Sequence, residues 1–327
     1  MANPDLISFG PLPPFAEIAL SEHFCVHKAY PPENLDGVIA RIGPACRFAV
    51  AAGAAGPLTD ALFARLPSLE IVANFGVGCD AIDVAACVRR GIIITNTPGV
   101  LDDEVADTTI GLLLSTIRRF PMLDRFMRSG GWACAKAPWT ATLVGKRVGI
   151  VGMGRIGQAV ARRLSGFTLA EIAYHTRRPV QGLGFRHQPD LVSLAREVDV
   201  LIVIVPGGTA TNGLVTREAL EALGPTGCFI NVARGSVVDE MALLDLLQTG
   251  QLGMAGLDVF MNEPNPDPRF FELDNVTLLP HVGSATHETR ERMGALVVDN
   301  LVAWKDGRPL LTPLPETLQR GAGFALV

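Results

Sequence analysis

The sequence predicts an α/β protein of two doubly wound parallel-sheet domains, one inserted into the other, and three observations carry that prediction. Short apolar runs alternate with helical patterns from end to end, the rhythm of parallel βα units. The chain has 327 residues, more than the roughly 100–150 typical of one domain, so two cores are expected. Two long helical stretches, residues 103–119 and 286–305, bracket a second run of βα units. If both stretches cross between domains, residues 1–99 plus 286–327 form one domain and residues 100–285 the other.

In the first part the expected strands are the short apolar runs at residues 6–9, 37–40, 48–51, 70–74 and 92–95, with helices at 60–65 and 81–90. Prolines within residues 1–15 are expected to break any helix there. Pro98 and Gly99 turn the chain into the long helix at 103–119, and Pro121 follows it. Its acidic start, Asp102, Asp103 and Glu104, suits the positive end of a helix dipole better than a metal ion. The second series opens at residues 146–151 and continues with strands at 171–174, 200–205, 228–232, 254–259 and 276–279. The stretch 286–305 reads as one long helix.

Composition excludes several function classes. The net charge is −5 and the basic residues are scattered except at Arg177-Arg178, so no broad footprint for nucleic acid exists. No apolar run approaches the roughly 20 residues of a membrane span. The N-terminal stretch lacks the basic segment and apolar core of a signal peptide. Six cysteines are spread without a Cys-x-x-Cys pair, which argues against a zinc knuckle or a disulfide framework. The expectation is a soluble, cytoplasmic protein with reduced thiols and neither nucleic-acid nor membrane partners.

The run Gly152-Met153-Gly154-Arg155-Ile156-Gly157 follows the apolar residues 148–151 and precedes a helix with Ile156, Val160 and Leu164 on one face. That context makes it a dinucleotide fingerprint of Rossmann-like type. Gly152 permits the tight turn, Gly154 lets backbone approach a pyrophosphate, and Gly157 allows helix to pack on strand. The helix N-terminus adds amides and partial positive charge. About 20 residues on, where an NAD enzyme places an acid for the ribose 2′-hydroxyl, stand Tyr174-His175-Thr176-Arg177-Arg178. A hydroxyl and two guanidinium groups suit a 2′-phosphate, so Thr176, Arg177 and Arg178 point to NADPH/NADP+, with NADH/NAD+ less favoured.

Further blocks stand in order: Asn74-Phe75-Gly76-Val77-Gly78-Cys79-Asp80, Asn96-Thr97-Pro98-Gly99-Val100, Asn231-Val232-Ala233-Arg234-Gly235, Leu257-Asp258-Val259-Phe260, Glu263-Pro264, and Pro280 through Thr286. On these blocks nearly the whole chain resembles the D-2-hydroxyacid dehydrogenase family, especially its NADPH-dependent glyoxylate, hydroxypyruvate and hydroxyphenylpyruvate reductases. The resemblance implies two doubly wound domains, Rossmann-like and flavodoxin-like. It also implies that Arg234 binds the carboxylate and carbonyl of a small 2-oxo acid, that Glu263 hydrogen-bonds the catalytic histidine, and that His281 donates the proton. Val77 and Gly78 would cradle the substrate carboxylate through their amides from the other domain, and Ser284 would lie near the substrate. Asp258 would accept from the nicotinamide carboxamide, while Val205, Pro206, Thr211 and Val232 would line the cofactor. Trp132 and Trp139 stand where related reductases reach a neighbouring subunit, and a homodimer is the family expectation.

The chemistry fits those residue types. Hydride arriving at a carbonyl carbon leaves charge on oxygen, which an acid in hydrogen-bond reach must neutralise. A neighbouring carboxylate favours the charged imidazolium, and an arginine fork suits a planar carboxylate better than lysine. His287 has no third ligand beside it, so no metal is expected. The competing class is a nucleotide-sensing corepressor that uses the fold for partner binding. Among sister enzymes, 2-ketogluconate reductase is an alternative. Formate dehydrogenases carry glutamine where Glu263 stands, and many phosphoglycerate dehydrogenases continue into a regulatory domain beyond the point where this sequence stops.

Overall fold

The structure, a computed structural model, describes residues 3–53 and 56–318; residues 319–327, assigned above to the first domain, lie outside the described residues. In chain order the first elements are β1 (Asp5–Ser8), α1 (Pro14–His23), β2 (Cys25–Lys28), α2 (Leu35–Ile42), β3 (Phe48–Ala52), α3 (Asp60–Ala64), β4 (Ile71–Phe75), α4 (Val84–Arg90) and β5 (Ile93–Thr95). There follow α5 (Asp102–Ile117), α6 (Phe120–Arg128), α7 (Gly131–Cys134), β6 (Arg147–Val151), α8 (Arg155–Leu164), β7 (Glu171–His175), β8 (Arg186–His187), α9 (Leu191–Glu197) and β9 (Val200–Val203). The last are α10 (Arg217–Leu223), β10 (Cys228–Asn231), α11 (Glu240–Gln248), β11 (Met254–Leu257), β12 (Val276–Leu278) and α12 (His287–Lys305). The chain divides into two compact units, Met1–Leu101 with Ala285–Val327, and Asp102–Ser284.

The first unit is a parallel sheet in the order β2-β1-β3-β4-β5, the flavodoxin-like arrangement. Every residue of β3 and β4 is buried, as expected of strands covered on both faces. Ile7, Ala49, Val72 and Ile94 pack with Phe63 and Leu66 in its core. One expected strand is a helix: residues 37–40 lie inside α2. Leu35, Val38, Ile39 and Ile42 all pack on the core, and their spacing of three and four is helical, a period that the short run Val38-Ile39-Ala40 conceals. A second expectation also fails, because Pro13 and Pro14 start α1 rather than prevent it. At the first helical position the missing N–H has no intrahelical partner to lose and the fixed φ already suits the helix. Strand β2, Cys25-Val26-His27-Lys28, was not expected; it is a partly exposed edge strand without alternating apolar residues.

The second unit is a seven-stranded parallel sheet in the order β12-β11-β10-β9-β6-β7-β8. Strand order reverses between β6 and β9, and at such a switch point open α/β sheets bind ligands. Helix α8 buries Ala159, Val160, Ala161 and Leu164. A leucine buried this fully contributes roughly 1.5–3 kcal/mol. The acidic start of α5 is neutralised by α8: Arg155 pairs with Asp102 at 2.9 Å, and Arg163 meets Asp103 at 3.1 Å and also Asp107. Those acids therefore serve the helix pair, as the helix-dipole reading anticipates. Strand β9 stops at Val203, two residues before the end expected, and β8 is a two-residue strand too short to leave a pattern.

Candidate active site

The fingerprint lies at the switch point. Gly152 has φ +100, in the region that favours glycine, and a Cβ there would strike the Ile204 carbonyl of the β9 segment. A Cβ on Gly157 would strike the Gly152 carbonyl, so these two glycines are required by the protein itself. Gly154 differs, because a Cβ there would meet no protein atom within 4 Å. That open space beside the first turn of α8 fits a bound pyrophosphate. Met153 is buried and Ile156 packs on the core, while the Arg155 side chain is engaged by Asp102. Beyond β7, Thr176 bonds the Arg178 carbonyl at 2.7 Å and closes a tight turn. Arg177 and Arg178 are exposed on that turn, and neither pairs with an acid among the described residues. Thr211 donates to the Pro206 carbonyl at 2.6 Å and shapes the loop after β9, next to Val205. Val232, just past β10, bonds the Val203 carbonyl through its N–H.

Arg234, Glu263 and His281 come from three separate segments of this unit. Asn231, at the end of β10, accepts from Ala233 N–H at 3.0 Å and donates to the Arg234 carbonyl at 3.0 Å, folding the turn that presents the arginine. Gly235 is needed because a Cβ there would collide with the Phe260 backbone, so the arginine turn lies against the segment that carries Glu263. One Glu263 oxygen accepts from Phe260 N–H at 3.0 Å; the other lies 2.6 Å from His281 Nδ1. Burial alone would raise the Glu263 pKa. The bonds from His281 and Phe260 and the charges of His281 and Arg234 outweigh it and hold the carboxyl below its ordinary value.

His281 has φ +54, a left-handed backbone that is unusual for a residue with a side chain. Asp258 holds it there. Its carbonyl accepts from His281 N–H at 2.8 Å, and its two carboxylate oxygens accept from Val282 N–H at 2.8 Å and Gly283 N–H at 2.9 Å. Asp258 is 2% exposed, and burial, partly offset by those amides and by His281, raises its pKa. Ser284, partly buried, ends the same turn.

Val77 and Gly78 belong to the first unit, in the turn after β4. Asn74 Nδ2 donates to the Gly76 carbonyl at 3.0 Å and the Gly78 carbonyl at 2.9 Å, and Asn96 Nδ2 donates to the Val77 carbonyl at 2.9 Å. In a trans peptide the C=O and the next N–H point in opposite directions. The amides of Val77 and Gly78 are thus aimed away from the asparagines that fix the turn.

In sequence and fold the chain is similar to known proteins. Residues 110–283 match the model of the D-isomer specific 2-hydroxyacid dehydrogenase, NAD binding domain. The 2-ketogluconate reductase of Gluconobacter oxydans is 41% identical over 96% of this chain and 99% of its own length. The chain belongs to the D-isomer specific 2-hydroxyacid dehydrogenase family. The hydroxyphenylpyruvate reductase of Plectranthus scutellarioides is 46% identical over 80% of this dehydrogenase and 82% of its own length. A crystal structure of the NADPH-dependent glyoxylate/hydroxypyruvate reductase from Sinorhizobium meliloti, in complex with NADP and malonate, superposes with a TM-score of 0.91 at 46% identity, covering 99% of this chain and 100% of that one. The dehydrogenase is an oxidoreductase of this family.

The residues that sequence reading missed in this dehydrogenase are the ones that hold others in place. Asn231 is 0% exposed, and a buried amide at a strand end before an arginine was the available signal. Asn74 and Asn96 lay inside blocks already singled out, yet their roles depend on which carbonyls they reach. Among the described residues, one group of side chains lies within ligand reach of a shared metal ion: Asp5, Cys25 and His27 at the β1–β2 edge. Its His27 Nε2 is 2.6 Å from Asp5, and its Nδ1 is 3.2 Å from the Arg41 guanidinium, so both ring nitrogens are already engaged by side chains of that edge.

Proposed function

We propose that this dehydrogenase reduces a small 2-oxo acid, glyoxylate, hydroxypyruvate or a close relative, to the D-2-hydroxy acid with NADPH. Hydroxyphenylpyruvate and 2-ketogluconate, named for two relatives, are the alternative substrates. The observation that carries the reading is the 2.6 Å contact between His281 Nδ1 and Glu263, in a carboxylate that also feels the charge of Arg234. Such a dyad suits a proton donor and not a mere binding surface, which disfavours the corepressor reading.

When bound, NADPH supplies the hydride that reduces the carbonyl carbon. Arg234 binds the carboxylate and carbonyl oxygen of the acid and orients it, and the Val77 and Gly78 amides take the same carboxylate. With Nδ1 committed to Glu263, the imidazolium offers Nε2–H, which passes its proton to the oxygen as charge develops there. Ser284 borders the substrate.

Gly152, Met153, Gly154, Arg155, Ile156 and Gly157 hold the pyrophosphate through the backbone at the α8 N-terminus, and Thr176, Arg177 and Arg178 clamp the 2′-phosphate. Val205, Pro206, Thr211 and Val232 would line the cofactor. Each Asp258 oxygen, having accepted one amide, retains a lone pair for the nicotinamide carboxamide.

The dehydrogenase acts as a homodimer in this reading. Its support is the run of exposed apolar residues along one segment of the second unit, with Trp139 97%, Trp132 66% and Met127 56% exposed. A cytoplasmic location is the reading that six cysteines spread without a Cys-x-x-Cys pair favour. Separately, no helix among the described residues is long and apolar enough to cross a membrane. The test is NADPH oxidation with a panel of 2-oxo acids by the wild type and His281→Ala. The variant is expected to lose activity by orders of magnitude while still binding NADPH; turnover preserved with binding lost would contradict the assignment.

A further inference from the structure

Helix α12 buries an asparagine in the first unit: Asn300 is 0% exposed. An amide in such a place costs stability unless its polar atoms are bonded, and here all of them are. Its Nδ2 donates to the Leu296 carbonyl at 2.7 Å and to Thr312 Oγ1 at 2.9 Å, and its Oδ1 accepts from the Leu311 and Thr312 N–H groups at 3.0 and 3.1 Å. All but the first of these bonds fasten the segment that follows the helix. That segment runs beside β5: Thr95 and Pro313 are antiparallel bridge partners, and Leu314 N–H donates to the Ile94 carbonyl at 2.7 Å.

Thr312 carries the hold onward. Its carbonyl accepts from Asn96 N–H at 3.2 Å, and its hydroxyl donates to the Asn96 carbonyl at 2.6 Å. A hydroxyl has one proton to give, so the bond from Asn300 Nδ2 arrives at its lone pair and the relay has one direction. Asn96, held at both backbone groups, donates through Nδ2 to the Val77 carbonyl at 2.9 Å. The segment already pairs with β5 through its backbone, so the hydroxyl and the buried amide add constraint at the residue that holds the Val77–Gly78 turn.

We propose that Asn300 and Thr312 are positioning residues: acting through Asn96, they fix the Val77–Gly78 turn and thereby the affinity for the carboxylate of the 2-oxo acid. This rests on the reading above that the amides of that turn bind the carboxylate.

The readout is KM for whichever of glyoxylate, hydroxypyruvate and pyruvate the wild type reduces fastest with NADPH. Thr312→Val removes the hydroxyl at nearly constant volume. It is expected to raise that KM roughly 3- to 10-fold, the range of one neutral hydrogen bond, with kcat and NADPH affinity within about twofold. Thr312→Ser restores the hydroxyl and should bring KM back to within about twofold of the wild type. If Thr312→Val folds poorly, Thr312→Ala removes the same hydroxyl with less bulk and is read alike. Asn96→Ala, which cuts the last bond to Val77, is the reference. KM raised by Asn96→Ala but not by Thr312→Val would overturn the proposal alone, and so would a serine that fails to rescue, or losses shared with kcat and NADPH affinity. KM unmoved in both would remove the carboxylate cradle, and the proposal with it. A wild type that reduces no 2-oxo acid with NADPH would instead remove the reductase reading, and this one with it.

Discussion

Replacing Glu263 by glutamine tests the proton-donor arrangement with the least change of shape. In the wild type one carboxylate oxygen accepts from Phe260 N–H and the other lies 2.6 Å from His281 Nδ1. Glutamine keeps the acceptor for Phe260 but turns an NH2 group toward the ring, which a neutral imidazole tolerates and an imidazolium does not. A charge-assisted bond of this kind contributes about 1.5–3 kcal/mol. The His281 and Glu263 side chains are 46% and 34% exposed, so solvent screening places the loss at the lower end, about 1.5 kcal/mol. With about 1.36 kcal/mol per factor of ten, kcat for reduction should fall roughly tenfold.

The assay is steady-state NADPH oxidation with hydroxypyruvate across a pH series, with NADPH affinity measured by fluorescence as the control. A variant kcat equal to that of the wild type, with NADPH affinity unchanged, would refute the reasoning. Stability supplies a second reading of the same pair. The folded Glu263 carboxyl is held below its ordinary 4.5, so its contribution is present above that value and lost as pH falls through the lowered one. The Tm difference between wild type and Glu263→Gln should therefore hold steady near neutral pH and vanish on acidification.

Replacing Arg177 and Arg178 together with alanine should weaken NADPH about 10- to 100-fold in a fluorescence titration while barely changing NADH, and equal losses would remove the phosphate clamp. Gly154→Ala should leave Tm within a degree or so and weaken NADPH, because its Cβ meets only open space, whereas Gly157→Ala drives a Cβ into the Gly152 carbonyl. That overpacking costs about 1–3 kcal/mol and should lower Tm by several degrees in a calorimetric scan. Trp132→Ser with Trp139→Ser should shift the protein from dimer to monomer in sedimentation; a monomeric wild type would contradict the dimer reading.

The segments that make the site were legible because their constraints are local. Glycines at 152, 154 and 157 after an apolar strand, an Arg-Gly pair ending another, and Pro-His before a small-residue turn each state what the backbone must do at that point. The positions of most strands were nearly as legible, since strands buried on both faces are written as unbroken apolar runs. Reading failed where the pattern was short or partly solvated, at α2, at the edge strand β2 and at the proline-led α1.

What the sequence by itself determined is the order of βα units, the fingerprint with its arginine pair, and the identities of the charged residues proposed to meet the substrate. Only the tertiary structure decided that Asp258 holds His281 in a left-handed turn and that Asn74 and Asn96 fix the turn that carries the Val77 and Gly78 amides. The bonds from Asn96 to Val77 and from Asp258 to Gly283 join groups 19 and 25 residues apart. Periodicity reports the face a residue lies on, but hydrogen-bond direction and the presence or absence of a counter-charge exist only once distant segments are packed together.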